Sequence, residues 1–260
     1  MEYMTPNFTK DMLKTHTILA PNMAPMQFAA IKAAMESEGY RIVMLENSGA
    51  EVAQLGLKYV HNDTCYPALL IIGQFLDALN SGKYDLQHTA LLISQSGGGC
   101  RASNYIKLLR KALVKAGYDY IPVASLNASG LEKGSSMPLS FRLLLKVLAA
   151  AEYGDLIAAL HNQVKPYEIN KGDAAACVAK WTAQVQEWLN HNKNYTIFSM
   201  KHRFKDIAND FAKIPVNRTP KVKVGVVGEI YVKFSPMGNN DLVAFLESQD
   251  CEVNMPGLMG

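Results

Sequence analysis

The chain has 260 residues, of which 49% are hydrophobic and 19% charged, and its formal net charge is +3. This is the composition of a globular protein with room for one large domain or two modest ones. The charge is too small and too scattered to indicate nucleic-acid binding, and no apolar run of about 18 residues indicates a membrane span. No secretory signal is visible, so we expect a cytoplasmic protein whose four cysteines are thiols, metal ligands or catalytic groups.

The first half of the chain alternates strand and helix signals. Short apolar runs predict strands at 16–22, 41–46, 89–95 and 120–127. Apolar residues at helical spacing predict helices at 26–35, 49–60, 68–79 and 102–116. The helix at 68–79 is mostly apolar and is therefore expected to be buried. Strands separated by helices in this order predict a parallel sheet with helices on both faces, which is an α/β fold.

The second half begins with helices and ends with new strand signals. Helices are predicted at 139–163, 174–193 and 198–214, and a strand, a helix and a strand follow from Val222 onward. We therefore expect a first α/β domain at 15–135, a helical connector at 136–219 and the start of a second α/β domain at 220–260. A sheet of about two strands cannot bury its own faces, so we expect the chain to be a fragment that is truncated within this second domain.

Two cysteines lie in loops that precede predicted helices. Cys100 follows three consecutive glycines, which are Gly97, Gly98 and Gly99. Glycines permit left-handed backbone and close approach, and a helix start stabilises a thiolate, the form that binds metals or attacks as a nucleophile. Cys65 lies in the segment NDTCYP, whose cap-type residues and proline also predict a helix start. The spacing is not a CxxC pattern, so it also fits two unrelated loop cysteines.

Four segments together resemble a known family. They are NDTCYPALLIIGQFLDALNSGKYDL, SQSGGGCRASNYIKLLRKALVKAGY, YGDLIAALHNQVKPYE and VGEIYVKFSPMGNNDL. They are similar to the DUF2229 family of acyl-CoA dehydratase activase-related proteins, also called CoA-substrate-specific enzyme activases. Members of that family are in turn similar to the β-type subunits of 2-hydroxyacyl-CoA dehydratases and benzoyl-CoA reductases.

The resemblance implies two Rossmann-like domains that hold an iron–sulfur cluster, [4Fe–4S] or larger, between them through cysteines. Cys65 and Cys100 match the loop cysteines of the family's first domain and would be metal ligands. A third cysteine comes from the second domain in the related dehydratase subunits, and we expect its counterpart beyond Gly260. Two thiolates do not complete a [4Fe–4S] site, so we expect this segment alone to bind a cluster poorly.

The resemblance also implies a function. The chain would pass low-potential electrons for reductive chemistry on an acyl-CoA-type substrate in an anaerobic, cytoplasmic system. It would be a 2-hydroxyacyl-CoA dehydratase-like lyase or an electron-transfer subunit, in a homo- or heterodimer. Its partners would be an ATP-dependent activase domain or subunit and an acyl-CoA, with no nucleic acid and no membrane. No catalytic residue is identified.

Other residues have two interpretations each. Arg101 would offset the charge of a thiolate-ligated cluster or bind an acidic group of CoA, and an exposed helix-terminal arginine fits equally. Glu229 and Asn239 would bind a ligand at the carboxyl end of the Val222 strand, or would cap helices. His61 would hydrogen-bond the cluster edge or belong to an ordinary loop. The remaining cysteines, Cys177 and Cys251, are expected in the core.

Two alternatives to the cluster remain open. In the first, the chain is a non-catalytic ligand-binding or docking module of an ATP-dependent activase, and the glycine loop binds a phosphate or a partner. The loop lacks the spacing of a P-loop or of a dinucleotide-binding loop. In the second, Cys100 is the nucleophile of a thiol enzyme, although no histidine or aspartate near it in sequence is an obvious partner.

Overall fold

The computed structural model describes residues 5–61, 63–95, 99–127, 137 and 140–259. Its α-helices are α1 (Met12–Thr15), α2 (Pro25–Glu36), α3 (Ala50–Tyr59), α4 (Tyr66–Asn80), α5 (Tyr105–Ala116), α6 (Phe141–Val164), α7 (Asp173–Asn190), α8 (Ile197–Ala212), α9 (Ile230–Phe234), α10 (Pro236–Asn239) and α11 (Leu242–Ser248). Its strands are β1 (Thr17–Pro21), β2 (Ile42–Leu45), β3 (Thr89–Gln95), β4 (Val123–Asn127), β5 (Lys223–Gly225) and β6 (Glu252–Asn254). Short 3-10 turns occupy Leu86–His88, Arg101–Asn104 and Lys165–Tyr167.

The described residues divide into two compact units. The first comes from Met1–Asn22 and Gly39–Leu139, and the second from Met23–Glu38 and Ser140–Gly260. The protein has an α/β fold with a four-stranded parallel sheet flanked by helices, in a Rossmann-like arrangement. The predicted fold class is therefore confirmed.

The sheet of the first unit has the strand order β2-β1-β3-β4. Ile18 of β1 lies opposite Ile42 of β2 and Ala90 of β3, and all of these pairings are parallel. The neighbours Ile18 and Leu19 are both fully buried although they point to opposite faces. A strand that is buried on both faces has a continuous apolar sequence, which explains why β1 and β3 were readily predicted.

Helices α3 and α4 cross very closely in the first unit. A Cβ built on Gly73 of α4 would lie 1.9 Å from the carbonyl oxygen of Val52, and one built on Gly56 of α3 would lie 2.2 Å from that of Leu69. The two glycines therefore let the helix backbones touch. As predicted, α4 is buried along nearly its whole length. This packing fixes the position of the residue that precedes it, Cys65.

The second unit is built around the long helix α6. Helix α2 packs along α6 and α7, and Gly154 permits the close contact, because a Cβ there would lie 2.7 Å from Cα of Gln27. The fully buried Tyr153 donates a hydrogen bond to the carbonyl oxygen of Asn194 at 2.8 Å. Strands β5 and β6 form a separate parallel pair, joined through α9–α11.

One predicted strand differs from the structure. The apolar run that begins at Val222 forms a strand only over Lys223–Gly225, and its later part is the helix Ile230–Phe234. Glu229 begins that helix by accepting a hydrogen bond from the backbone of Val232, so the capping signal outweighs the strand propensity of the apolar residues. Across the part of the chain that is described, no helix has both the length and the apolar character needed to cross a membrane.

Candidate functional site

Cys100 lies where the sequence predicts it, between the third strand and the following helix. It is the N-cap residue of the 3-10 turn Arg101–Asn104, which leads directly into α5. The backbone N–H of Ala102 donates to its Sγ at 3.5 Å, and the hydroxyl of Ser103 donates to its carbonyl oxygen at 2.7 Å. The side chain is exposed. The sulfur is therefore held by backbone geometry and remains accessible to a metal or a reagent.

Cys65 is the N-cap residue of α4, so the predicted helix start is also present. Its backbone is extended, and Pro67 lies in the first turn of the helix. A turn in which the N–H of Thr64 donates to the carbonyl of His61 precedes it. The side chain is partly buried. Because α4 is packed tightly against α3, the position of this thiol is set by the core of the first unit.

A tyrosine connects the Cys65 loop to the helix that follows Cys100. The hydroxyl of Tyr105 lies 3.0 Å from Sγ of Cys65, within hydrogen-bond distance. Tyr105 is the first residue of α5, and its side chain is buried. The structure therefore brings the Cys65 thiol against the start of the helix that Cys100 precedes. Tyr105 cannot be identified from the sequence, because no local signal shows which buried tyrosine has a distant thiol as its partner.

The strand order places this region at the point where the sheet topology reverses. The chain moves from β1 to β2 on one side and then to β3 on the other, so the switch point lies between β1 and β3. In open parallel sheets, ligands bind beyond the carboxyl ends of the strands at such a point. The segment with Cys100 follows β3, and Asn22 follows β1.

Two acceptor oxygens at this edge have no hydrogen-bond partner among the residues that the structure describes. Gln95, the last residue of β3, donates from Nε2 to the carbonyl oxygen of Ser103 at 2.7 Å. Its Oε1 and the Oδ1 of Asn22 are buried and have no partner among the described residues. Buried polar atoms are normally paired, so these oxygens are positioned to accept hydrogen bonds from a ligand. Polar residues at the ends of apolar strands are the signal that would have identified them.

The glycines are only partly described. Gly97 and Gly98 lie outside the described residues. Gly99 does not adopt a left-handed backbone conformation, and a Cβ built on it would meet no described atom within 4 Å. At Gly99, the expected need for left-handed backbone or close approach is therefore absent.

The remaining predicted residues are explained by local contacts. Glu229 Oε2 accepts from the N–H of Val232 at 2.9 Å. Asn239 donates from Nδ2 to the carbonyl of Val232 at 3.0 Å, and its Oδ1 accepts from the N–H of Leu242 at 3.1 Å. Both residues belong to the second unit and cap helices there, which is the alternative that the sequence offered. A ligand-binding role for either stays a prediction.

For four further residues, no described contact links the side chain to the thiol of Cys65 or Cys100. Arg101 is exposed and pairs with no described acidic residue. His61 is exposed and accepts at Nδ1 from the N–H of Asp63 within its own loop. Cys177 and Cys251 are each partly exposed rather than fully buried. Burial, followed by the nearby carboxylate of Asp210, raises the pKa of Cys177. The raised pKa favours the protonated thiol, which is less reactive than the thiolate.

The thiols fit an iron–sulfur cluster in type but not in number. Such clusters are held by cysteine thiolates, usually four, and Cys65 and Cys100 supply two. Within the described ranges, no group of three or more histidine, cysteine, aspartate or glutamate side chains is arranged to hold a metal ion. A cluster at this edge would therefore need ligands from outside the described residues.

Comparisons with known proteins add no further constraint. No protein-family model, no curated protein and no solved structure matches the chain. The function is therefore inferred from the geometry at the edge of the sheet and from the resemblance described above.

Proposed function

We propose that the chain is the cluster-binding component of a 2-hydroxyacyl-CoA dehydratase-like or activase-related system. In this role it passes low-potential electrons for reductive chemistry on acyl-CoA-type substrates, with Cys65 and Cys100 as iron ligands. The observation that supports the proposal is the 3.0 Å contact between Cys65 Sγ and the hydroxyl of Tyr105. It places the Cys65 thiol against the first residue of α5, the helix that follows the Cys100 turn. That turn follows β3, on the side of the sheet where ligands of parallel sheets bind.

The surrounding groups suit a pair of thiolate ligands. When bound, an iron–sulfur cluster supplies one-electron transfer at a potential set by its ligands, its hydrogen bonds and its exposure. The N–H of Ala102 donates to Cys100 Sγ, and the hydroxyl of Tyr105 is placed to donate to Cys65 Sγ. Hydrogen bonds to ligand atoms orient them and adjust the electron density on the metal. In this proposal, Arg101 offsets negative charge beside Cys100.

The proposal includes partners and a location. An ATP-dependent activase would deliver the electron, and the missing ligands would come from residues outside the described ranges or from a second subunit. A cytoplasmic location accords with the four free thiols, because the cytoplasm keeps cysteines reduced.

A ligand-binding or docking module of an activase is the second candidate. The side-chain oxygens of Asn22 and Gln95 favour it, because no described residue bonds them and they could accept hydrogen bonds from a ligand without any metal. The two-thiol donor set favours it too, since two ligands alone do not complete a cluster. A thiol enzyme is less well supported, because no described side chain that could act as a base contacts Cys100 Sγ.

Anaerobic purification distinguishes the two candidates. The cluster predicts a brown protein with a broad sulfur-to-iron charge-transfer absorption that is bleached by dithionite. The ligand-binding module predicts a colourless protein in which Cys65 and Cys100 both react with a thiol reagent. Anaerobic reconstitution with iron and sulfide, followed by removal of unbound metal, excludes loss of a cluster during purification as the cause of a colourless sample.

A further inference from the structure

The second unit contains a largely apolar cavity that the proposed function does not use. Its volume is about 250 Å³. Engineered apolar cavities of about 150 Å³ bind benzene, so this cavity has room for a somewhat larger small molecule. Its walls come from the beginning of α2, from α6 and from the stretch between the end of α9 and the residue after β6. They include Met26, Ala158, Phe234, Val243 and Met255.

Two buried polar side chains lie together in the cavity wall. His161 and Asn162 of α6 are only 9% and 8% exposed, and both line the cavity. Nδ1 of His161 lies 3.4 Å from Oδ1 of Asn162. In this orientation of the Asn162 amide, the oxygen accepts from Nδ1, which leaves Nε2 of a neutral imidazole as an acceptor.

Each residue of this pair has a second polar side-chain atom that takes no part in the contact between them. Among the described residues, none hydrogen-bonds Nε2 of His161 or Nδ2 of Asn162. The pair thus offers one acceptor and one donor within a cavity that is otherwise mainly apolar. A few placed polar groups in an apolar cavity are typical of small-molecule sites.

The charges around the cavity disfavour an anion. Asp241 and Glu247 line the cavity, and Glu247 is paired with Lys165. Burial, followed by the Lys165 ammonium, lowers the pKa of His161, against the weaker opposing effects of Asn162, Glu247 and Glu168. These effects favour the neutral imidazole, which provides no positive charge for a carboxylate.

We propose that this cavity binds a small, uncharged, mainly apolar molecule through a head group that both donates and accepts a hydrogen bond, as a primary amide does. The donor of the head group bonds Nε2 of His161, and its acceptor takes a hydrogen bond from Nδ2 of Asn162. The short apolar body packs against Ala158 and Phe234. The proposal concerns the second unit alone and does not depend on the iron–sulfur cluster.

Three matched ligands test the head group in a saturation-transfer NMR titration of the 260-residue chain. Hexanamide has both hydrogen-bonding functions, heptan-2-one replaces the amide nitrogen by a methyl group, and hexanoate replaces it by a charged oxygen. Heptan-2-one should bind about 3–10-fold more weakly than hexanamide, since one hydrogen bond is lost. Hexanoate should bind at least about tenfold more weakly, since a buried unpaired carboxylate is penalised.

Variants test whether hexanamide binds in this cavity. Ala158→Phe fills the cavity and should abolish hexanamide binding, whereas Ala159→Phe places the same ring on the exposed side of α6 and should leave it unchanged. Ala244 also lines the cavity but is exposed, so Ala244→Phe blocks the cavity without a change in the core. This variant replaces Ala158→Phe in the test if Ala158→Phe does not fold. His161→Leu should weaken hexanamide about 3–10-fold and leave heptan-2-one unaffected.

Several results would overturn the proposal. They are an absence of saturable hexanamide binding, hexanoate binding as tightly as hexanamide, and hexanamide binding that survives both Ala158→Phe and Ala244→Phe. Loss of heptan-2-one binding in His161→Leu would show that the histidine shapes the cavity and does not bond the head group.

Discussion

The hydroxyl of Tyr105 and the thiol of Cys65 lie 3.0 Å apart although 40 residues separate them in the chain. The tyrosine begins α5 and the cysteine precedes α4, so one hydrogen bond ties the loop before α4 to the first residue of α5. Both helices pack within the first unit. The contact therefore belongs to the folded core and does not require a bound cluster.

This contact predicts an energetic coupling. Tyr105→Phe keeps the buried ring and removes the hydroxyl, and Cys65→Ala removes its partner. A double-mutant cycle measured by urea unfolding should give a coupling of about 0.5–1.5 kcal/mol, which is the usual net contribution of one hydrogen bond. Tyr66→Phe alters an exposed tyrosine beside Cys65 and should show no coupling with Cys65→Ala. Additive losses in the first pair would show that the two side chains do not interact.

The crossing of α3 and α4 predicts a severe effect of one added methyl group. Gly73→Ala would place Cβ 1.9 Å from the carbonyl oxygen of Val52, and the backbone of α3 would have to move. Overpacking typically costs about 1–3 kcal/mol, and we expect a loss in unfolding free energy of about 3 kcal/mol here, because a backbone atom is in the way. The added methyl group of Gly99→Ala meets no described atom within 4 Å, and the substitution should change stability by less than about 0.5 kcal/mol. Equal effects of the two substitutions in urea unfolding would contradict this account of the crossing.

A buried ion pair fixes the end of α2 against α6 in the second unit. Nζ of Lys146 is fully buried, donates to Ser37 Oγ at 2.8 Å and pairs with the carboxylate of Glu38. Glu38→Gln would leave this ammonium without its counter-charge, so we expect a loss of about 3–5 kcal/mol in urea unfolding. Glu36→Gln breaks the exposed pair with Lys32 and should cost less than about 1 kcal/mol. A loss below about 1 kcal/mol for Glu38→Gln would mean that the lysine is solvated or paired elsewhere.

The same pair predicts a dependence of stability on pH. Burial raises the pKa of Glu38, but hydrogen bonds from Arg142 and Lys146 and their charges outweigh it, so the pKa lies below its usual value. A carboxyl with a lowered folded-state pKa stabilises the fold above the pKa of the unfolded chain, about 4.3 for glutamate. This contribution is lost as the pH falls from there through the folded-state pKa.

Urea unfolding at pH 7 and pH 3 measures this effect. Other carboxyls also titrate in this range, so the informative quantity is the difference between wild type and Glu38→Gln. The stability of wild type should fall more steeply between the two pH values than that of the variant. Parallel losses would show that Glu38 titrates normally in the folded protein.

Much of the fold could be predicted because its strands are short, apolar and separated by helices. The strand Thr89–Gln95 has the predicted bounds, and Gly117 ends α5 in a left-handed conformation, as its position indicates. The assignment of α2 to the second unit could not be predicted. Its spacing shows a helix, but its packing against α6 and α7 depends on residues more than a hundred positions away.

The candidate site was less predictable than the fold. Local signals place Cys65 and Cys100 at helix starts, because capping residues, a proline and a turn act over a few positions. Tyr105 and Gln95 were missed, since their contacts depend on tertiary packing between α4, α5 and β3. Glu229 and Asn239 could be identified from the sequence, but their role could not. Polar residues at strand ends and helix starts fit helix capping and ligand binding equally well.

The most direct test of the central claim is the iron and sulfide content of anaerobically reconstituted protein, compared among four single variants. Cys65→Ser and Cys100→Ser should each lose most of the iron that wild type binds. Cys177→Ser and Cys251→Ser should keep it, because neither residue lies in the two loops at the edge of the sheet. Iron contents of Cys65→Ser and Cys100→Ser equal to that of wild type, or a wild type that binds no iron, would contradict the assignment of these two cysteines as cluster ligands.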